Sequence, residues 1–346
     1  MTSDAEVIGT KSGSRPVERL RRLITRRPES RAVILLAIVS LGAIILEPLV
    51  FTAYSATLGR IALIGLVALG LTAVILMGEL DLSVASTLAV SGVVMASIDS
   101  LPGGILVALI VGVCIGVANA FFVVVVGINS FIATLGMLFF LRGLAFVISD
   151  EQPVRIANID AGIAFGKPLI GDFTPRMLIF LAVFVVMHVF TTRVRVGREF
   201  YAVGGNRTAA YDAGIPVRRR IFTGFMISGF VAAGAGAINT LERTAADPTS
   251  GSTVLLSSFA AAIIGGILLT GGRGSVLGTL LGAASLGILQ VGLTHSAVQV
   301  DVQNIVIGAV LFVAVISDPA SVRAVFERVR IAVRSRRHQQ TPVTSA

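Results

Sequence analysis

The chain consists of apolar runs, each close to the length at which a helix crosses a bilayer, separated by short polar segments. A helix needs about 20 residues to cross a hydrocarbon core of about 30 Å. That rule predicts ten spans, at about 32–52, 60–78, 84–100, 103–126, 130–149, 177–192, 221–241, 254–271, 275–295 and 302–318. The third is short and rich in Ala, Ser and Val, and it reads equally as a re-entrant or broken helix. Soluble domains carry about a quarter charged residues. Here only 14% of 346 residues are charged and 55% are hydrophobic, so the expected fold is all-α and polytopic.

The net charge of +9 invites a nucleic-acid reading. The basic residues, however, sit in short segments between apolar runs, where membrane orientation explains them. With the N-terminus inside, cytosolic segments hold 22 of the 28 Lys and Arg. The outer side keeps Arg60, Arg142, Arg155, Lys167, Arg176 and Arg243. This asymmetry requires an even number of spans with both termini cytosolic. Residues 1–31 then form a basic cytosolic arm near anionic lipid headgroups. Residues 32–318 form the transmembrane domain, and 319–346 a basic cytosolic tail. The arm's polar stretch is too long for a signal-peptide n-region, and no small-residue cleavage site follows it.

Gly274, Gly278 and Gly282 recur every four residues, as do Gly112 and Gly116, which suits close packing of helix backbones in lipid. No residue-level repeat is visible. Two halves of five spans each would be inverted relative to one another.

Few residues offer chemistry. Glu79 and Asp81 interrupt the apolar pattern in Gly78-Glu79-Leu80-Asp81-Leu82-Ser83. Acids within a membrane are expensive. Asp81 or Ser83 can cap the following helix, and the same polar break can line a pathway. His188 is the only histidine inside a span and has no relay partners in sequence; Glu47, before Pro48, reads as an interfacial group. Cys114 is the only cysteine, so neither an intrachain disulfide nor a cysteine metal site is expected. Gly162 to Lys167 falls one residue short of a phosphate-binding loop, and Pro168 takes the hydroxyl position. No cofactor or metal is implied, and any ATP-driven step needs a second subunit.

The segment 193–220 is the most informative. Gly204-Gly205-Asn206 is a turn signal. Asn206 or Thr208 can cap a short helix through Ala209, Ala210 and Tyr211, with Gly214 and Pro216 ending it. Such a helix between two spans suits docking to a cytosolic partner; on pattern alone an ordinary polar loop fits equally.

At this segment the sequence resembles the permeases of the ribose, xylose and galactose class of bacterial ABC importers, over about residues 57–318. The shared pattern is Gly197, Arg198, Tyr201, Ala202, Gly204, Gly205, Asn206, Ala209, Ala210, Gly214 and Ile215. Three further blocks are similar: Asp81-Leu82-Ser83-Val84; Phe131 to Met137 (including Thr134) with Arg142-Gly143; and Gly271 to Ser275 with Gly278-Thr279. The resemblance implies a non-catalytic transmembrane subunit of the bacterial inner membrane. It would pair with a second permease copy as a homo- or heterodimer, dock a cytosolic ATP-binding subunit through 193–220 and receive a small sugar from an extracytoplasmic solute-binding protein. Glu79, Asp81, Ser83 and Thr134 are then candidates for the translocation path or a helix cap. Two departures stand out: Glu79 replaces a glycine common in the family, and 253–259 lacks the acidic pair common there. The competing readings are an ion-coupled secondary transporter, which would need Glu79 and Asp81 as an ion site, and a membrane-embedded enzyme, which would need clustered ionisable groups.

Overall fold

Fourteen α-helices fill the computed structural model, which describes residues 29–171 and 173–316. The predicted N-terminal arm up to residue 28 and the tail from 319 onward lie outside the described residues. In chain order the helices are α1 (Glu29–Leu46), α2 (Leu49–Thr52), α3 (Tyr54–Ile75), α4 (Val84–Ala96), α5 (Leu101–Phe121), α6 (Ser130–Ile148) and α7 (Ile159–Gly166). There follow α8 (Pro175–Arg193), α9 (Arg195–Gly205), α10 (Arg207–Asp212), α11 (Val217–Arg243), α12 (Ser252–Ile264), α13 (Val276–His295) and α14 (Val300–Ile316). One two-residue ribbon, β1 (Val154–Arg155) against β2 (Ala245–Ala246), runs antiparallel.

Among the described residues six helices are long and apolar enough to cross a membrane: α3, α5 with its π-helical extension to Val126, α6, α8, α11 and α13. Four shorter apolar helices, α1, α4, α12 and α14, accompany them. A helix occupies each run predicted to span, with three corrections. The run 32–52 breaks at Glu47-Pro48, because proline has no N–H to donate and its ring blocks a continuing helix. The run 84–100 is helical only to Ala96. The run 254–271 stops at Ile264, where glycines begin and Gly266 adopts φ +90°. At about 1.5 Å per residue, the 13 residues of α4 and of α12 reach roughly 20 Å, short of a full crossing.

Helix α3 is apolar on every side and is therefore buried on every side. It crosses α11 at the centre of the molecule. The packing repeats itself around that crossing. Helix α3 packs on α12 and α13, as α11 packs on α4 and α5. Within each set, α4 lies on α5 and on α6, as α12 lies on α13 and on α14. The repeat invisible in the residues is thus present in the packing. The two sets of five helices are α1 with α3–α6, and α8 with α11–α14.

Small residues set the closeness of these contacts. Gly112 and Gly116 of α5 lie against the Gly229 and Phe225 carbonyls of α11. Gly278 and Gly282 of α13 lie against Gly265 and Ala261. A Cβ at any of these four positions would strike backbone, which cannot swing aside. Gly274 does not share that stripe: it has φ +136° and sits in the loop before α13.

The contacts sort the connections into two ends. At one end, Gly272 N donates to Leu76 O (2.9 Å), Arg207 pairs with Glu79 and Arg218 Nη2 donates to Val124 O (2.9 Å). At the other, Ser296 Oγ donates to Glu47 Oε1 (2.9 Å), β1 pairs with β2 and Arg176 pairs with Glu242.

Candidate functional site

Between α3 and α4 the chain unwinds over 76–83, at the end shared with α9 and α10. An unwound backbone within a membrane domain must find partners for its polar groups inside the protein. Leu80 N donates to Ser130 Oγ (3.1 Å) and Leu82 N to Thr134 Oγ1 (3.1 Å), both on α6. Thr134, fully buried, itself donates to Ser130 O (2.7 Å). Asp81 Oδ1 accepts from Ser83 N (3.0 Å) and Ser83 Oγ (2.6 Å), and Oδ2 accepts from Ser228 Oγ of α11 (2.8 Å). Asn119 of α5 donates to Ser83 Oγ (2.7 Å). Ser83 precedes α4 without a side-chain cap bond; Asp81, two residues upstream, takes up the Ser83 N–H instead.

Glu79 and Asp81 are neighbours in sequence and have separate partners in space. Glu79, 5% exposed, accepts from Arg207 Nη2 (2.5 Å), whereas Asp81, 1% exposed, is held by serines. They do not share the single ion site that the secondary-transporter reading requires.

The segment 193–220 forms two helices rather than one. Helix α9 had no counterpart in the sequence reading, which placed a turn at Gly204-Gly205. Both glycines instead finish α9, and neither has positive φ. The chain turns at Asn206 (φ −161°, ψ 109°), whose Oδ1 accepts from Ala209 N (3.0 Å) and caps α10. Gly214, φ +78°, ends the motif, and Ile215 N returns to Ala210 O (3.0 Å).

The two glycines have different surroundings. A Cβ on Gly205 would meet nothing within 4 Å. A Cβ on Gly204 would land on Leu76 O and lie 2.5 Å from Gly272 N. Gly204 is therefore where α9 rests on the unwound segment, with the loop 271–272 against both. Gly197 plays a similar part at the corner between α8 and α9, where its Cα faces Phe190 O; the Phe190 and Phe200 rings meet edge to face at 5.5 Å.

Charge fixes the outer side of this hairpin of helices. Glu199 is buried and bonded to Arg220 of α11 and to Arg195 (2.8 Å). Burial alone would raise its pKa, but the hydrogen bonds and charges of the two arginines outweigh it and hold the carboxyl below the ordinary range. Burial pushes the Tyr201 phenol up. Facing away from the protein are Arg198, Gly205, Asn206, Ala209 and Gly214, together with Tyr211 at 73% exposure; Ala210 is buried beneath them.

Arg207, Glu199, Arg220, Ser228, Asn119 and Ser130 were not singled out in sequence. For Asn119, Ser130 and Ser228 a signal existed: each is a polar residue in or at the end of an apolar run. His188 stacks on Phe184 at 5.9 Å, and its buried Nδ1 has no hydrogen-bond partner among the described residues.

The polar segments at the end opposite the junction form one unit. Ile156 N donates to Thr244 O (3.1 Å), β1 pairs with β2, and Gly162 of α7 lies against Leu241 O. Residues 150–166 and 241–246 thus share one surface.

Comparison with known proteins agrees with this architecture. Residues 53–315 match the family described as branched-chain amino acid transport system / permease component. The ribose import permease protein RbsC of Escherichia coli (strain K12) is 37% identical over 265 residues, covering 73% of this chain and 81% of its own. The D-allose transport system permease protein AlsC of the same strain is 34% identical over 258 residues, covering 73% and 79%. RbsC of Bacillus subtilis (strain 168) is 36% identical over 267 residues, covering 75% and 83%. No solved structure matches the chain. The family match over most of the chain and these relatives together place the protein: it belongs to the family of multi-pass membrane permease components of ABC transport systems.

Proposed function

We propose that the chain is the membrane-spanning permease subunit of an ABC importer that moves a monosaccharide into the cytoplasm. The observation that carries this reading is the junction of three segments: α9 and α10, the unwound 76–83, and the loop 271–274. An exposed pair of short helices, presenting Tyr211, rests directly on the broken part of the membrane domain. A push on α10 reaches 76–83 through Gly204 and the Arg207–Glu79 pair without crossing a flexible linker. A cytosolic ATP-binding subunit is the partner that such a surface serves, and ATP hydrolysis resides there.

The reading extends to topology and partners. The chain crosses the membrane ten times, with the short helices α4 and α12 completed by the adjoining non-helical stretches 76–83 and 265–275. The N-terminal arm, 193–220 and the C-terminal tail are cytosolic. A second permease copy completes the pathway. The joined outer surface of 150–166 and 241–246 receives an extracytoplasmic solute-binding protein. The relatives' names, ribose and D-allose permeases, support a monosaccharide as the solute.

The test is reconstitution in proteoliposomes with and without the ATP-binding and solute-binding partners. Uptake is expected only with ATP and both partners, and the permease alone is expected to hydrolyse none. Uptake driven by an ion gradient without those partners would refute the proposal. Reporter fusions after Arg220 and after Asp318 should both report cytosol.

A further inference from the structure

At the end of the molecule opposite the junction, α3, α12, α13 and α14 border an open-sided cavity of about 530 Å³. That volume falls within the range of about 300–1,000 Å³ typical of small-molecule sites. Its lining surface is mainly apolar, from residues such as Ala56, Val291, Val300 and Ile307, with polar side chains set among them. Arg60, Thr253, Gln290, His295, Gln303 and Asn304 face it, and no Asp or Glu does.

The polar groups are held in place. Arg60 Nε donates to Gln290 Oε1 (2.5 Å), and Gln290 Nε2 donates to Ser257 Oγ (2.5 Å). Gln290 is 2% exposed, so Arg60 is fastened to a buried amide rather than splayed into solvent. This uses Nε only. Among the described residues the two Nη groups of Arg60 and the side-chain amide of Asn304 have no hydrogen-bond partner. An ordinary surface arginine would be solvated on all sides. This one stands at a cavity wall with its fork free.

Of the lining residues only Arg60 carries a fixed charge. Arg60, Arg176 and Arg243 are close enough to repel one another. The one carboxylate among them, Glu242, pairs with Arg176. Glu47, nearby on the same face, accepts from Ser296, and Asp301 opens α14 beside the lining residue Val300. None of these acids makes an ion pair with Arg60. A free guanidinium fork with two cations behind it fits a carboxylate, and arginine binds carboxylates in two-pronged fashion. The surrounding amides and hydroxyls fit the hydroxyl groups of a polyol.

We propose that this cavity is a binding site for a small polyhydroxylated carboxylate, that is, a sugar acid, with Arg60 on the carboxylate and Gln303 and Asn304 on the hydroxyls. This rests on the importer reading and refines it, since a neutral monosaccharide would leave the Arg60 fork without a partner.

The test uses the full-length permease in phosphatidylcholine nanodiscs, with D-gluconate and D-glucose as probes in ligand-observed NMR titrations. Gluconate is expected to bind about tenfold more tightly than glucose, the worth of a charge-assisted hydrogen bond. Arg60→Gln should bring the ratio to about one. Asn304→Leu, chosen because it leaves Arg60 and Gln290 intact, should weaken both sugars and preserve the ratio. Equal binding of the two sugars by the wild type, or an unchanged ratio in Arg60→Gln, overturns the proposal. Loss of gluconate binding when phosphatidylglycerol is added to the nanodiscs also overturns it, and assigns the cavity to a lipid headgroup. Co-purification with the ATP-binding subunit tests the importer reading separately. A permease that couples to ATP but fails these titrations refutes the sugar-acid site alone.

Discussion

Gly204 and Gly205 are adjacent, both helical, and expected to respond oppositely to alanine. At Gly205 a Cβ meets open space. Helix propensity then favours alanine by about 0.8–1 kcal/mol in a helix interior, and by less at the last residue of α9. Gly205→Ala should therefore leave abundance and uptake at wild-type level. At Gly204 the same methyl group lands on Leu76 O and 2.5 Å from Gly272 N. Carbon atoms rest about 3.5–4 Å from their neighbours, so α9 must retreat from the unwound segment by roughly 1 Å. Overpacking of this kind costs about 1–3 kcal/mol. Loss of the bond from Gly272 N to Leu76 O adds about 1 kcal/mol. The long helices insert regardless, because none of their packing passes through this contact. Gly204→Ala should thus reach the membrane at near-normal level and co-purify with the ATP-binding subunit, since the exposed face of α10 is untouched. The complex it forms should hydrolyse ATP with sugar uptake reduced at least severalfold. Membrane level, co-purification and uptake, measured side by side for the two variants, check this. Normal uptake by Gly204→Ala, or equal loss in both variants, would show that the junction transmits nothing.

Three further outcomes follow from the same geometry. Arg207→Ala leaves the buried Glu79 carboxylate unpaired and should cost about 1–3 kcal/mol, less than a fully buried pair because Arg207 is half exposed; Glu79→Gln in the same chain should recover part of the lost uptake. Asp81→Leu orphans the Ser83 N–H and two serine hydroxyls, about 1–3 kcal/mol for each that finds no other acceptor, and should abolish uptake, whereas His188→Phe, which replaces a stacked ring and removes an unpartnered nitrogen, should change uptake little. Glu199 has a lowered pKa, so its stabilising contribution is complete above the unfolded-state value of about 4.3 and is lost as pH falls through the folded-state value; the Tm difference between wild type and Glu199→Gln should be constant near neutrality and close below that point.

What the sequence determined by itself was set by the solvent. Apolar runs must become helices in lipid, because no water is present to satisfy a bare backbone. Class, approximate helix positions and the polar break at 76–83 follow from that, as does the Asn206-capped helix, whose turn chemistry is local. The sequence also marks Asp81, since an acid in such a run is conspicuous, and Thr134 through the family resemblance. Tertiary structure decided what depends on distant backbones meeting. Gly204 and Gly205 look alike in sequence, and only the Leu76 carbonyl, 128 residues away, distinguishes them. Glu79 and Asp81 look like a pair, and only Arg207 and Ser228 separate them. The helix α9 was hidden because its two terminal glycines carry the local signature of a turn, while burial of Phe200 and Val203 against the core outweighs that preference. The repeat in the packing and the cavity at Arg60 were equally hidden. Both arise from which helices pack together, and lipid-driven hydropathy constrains each helix alone, never its neighbour.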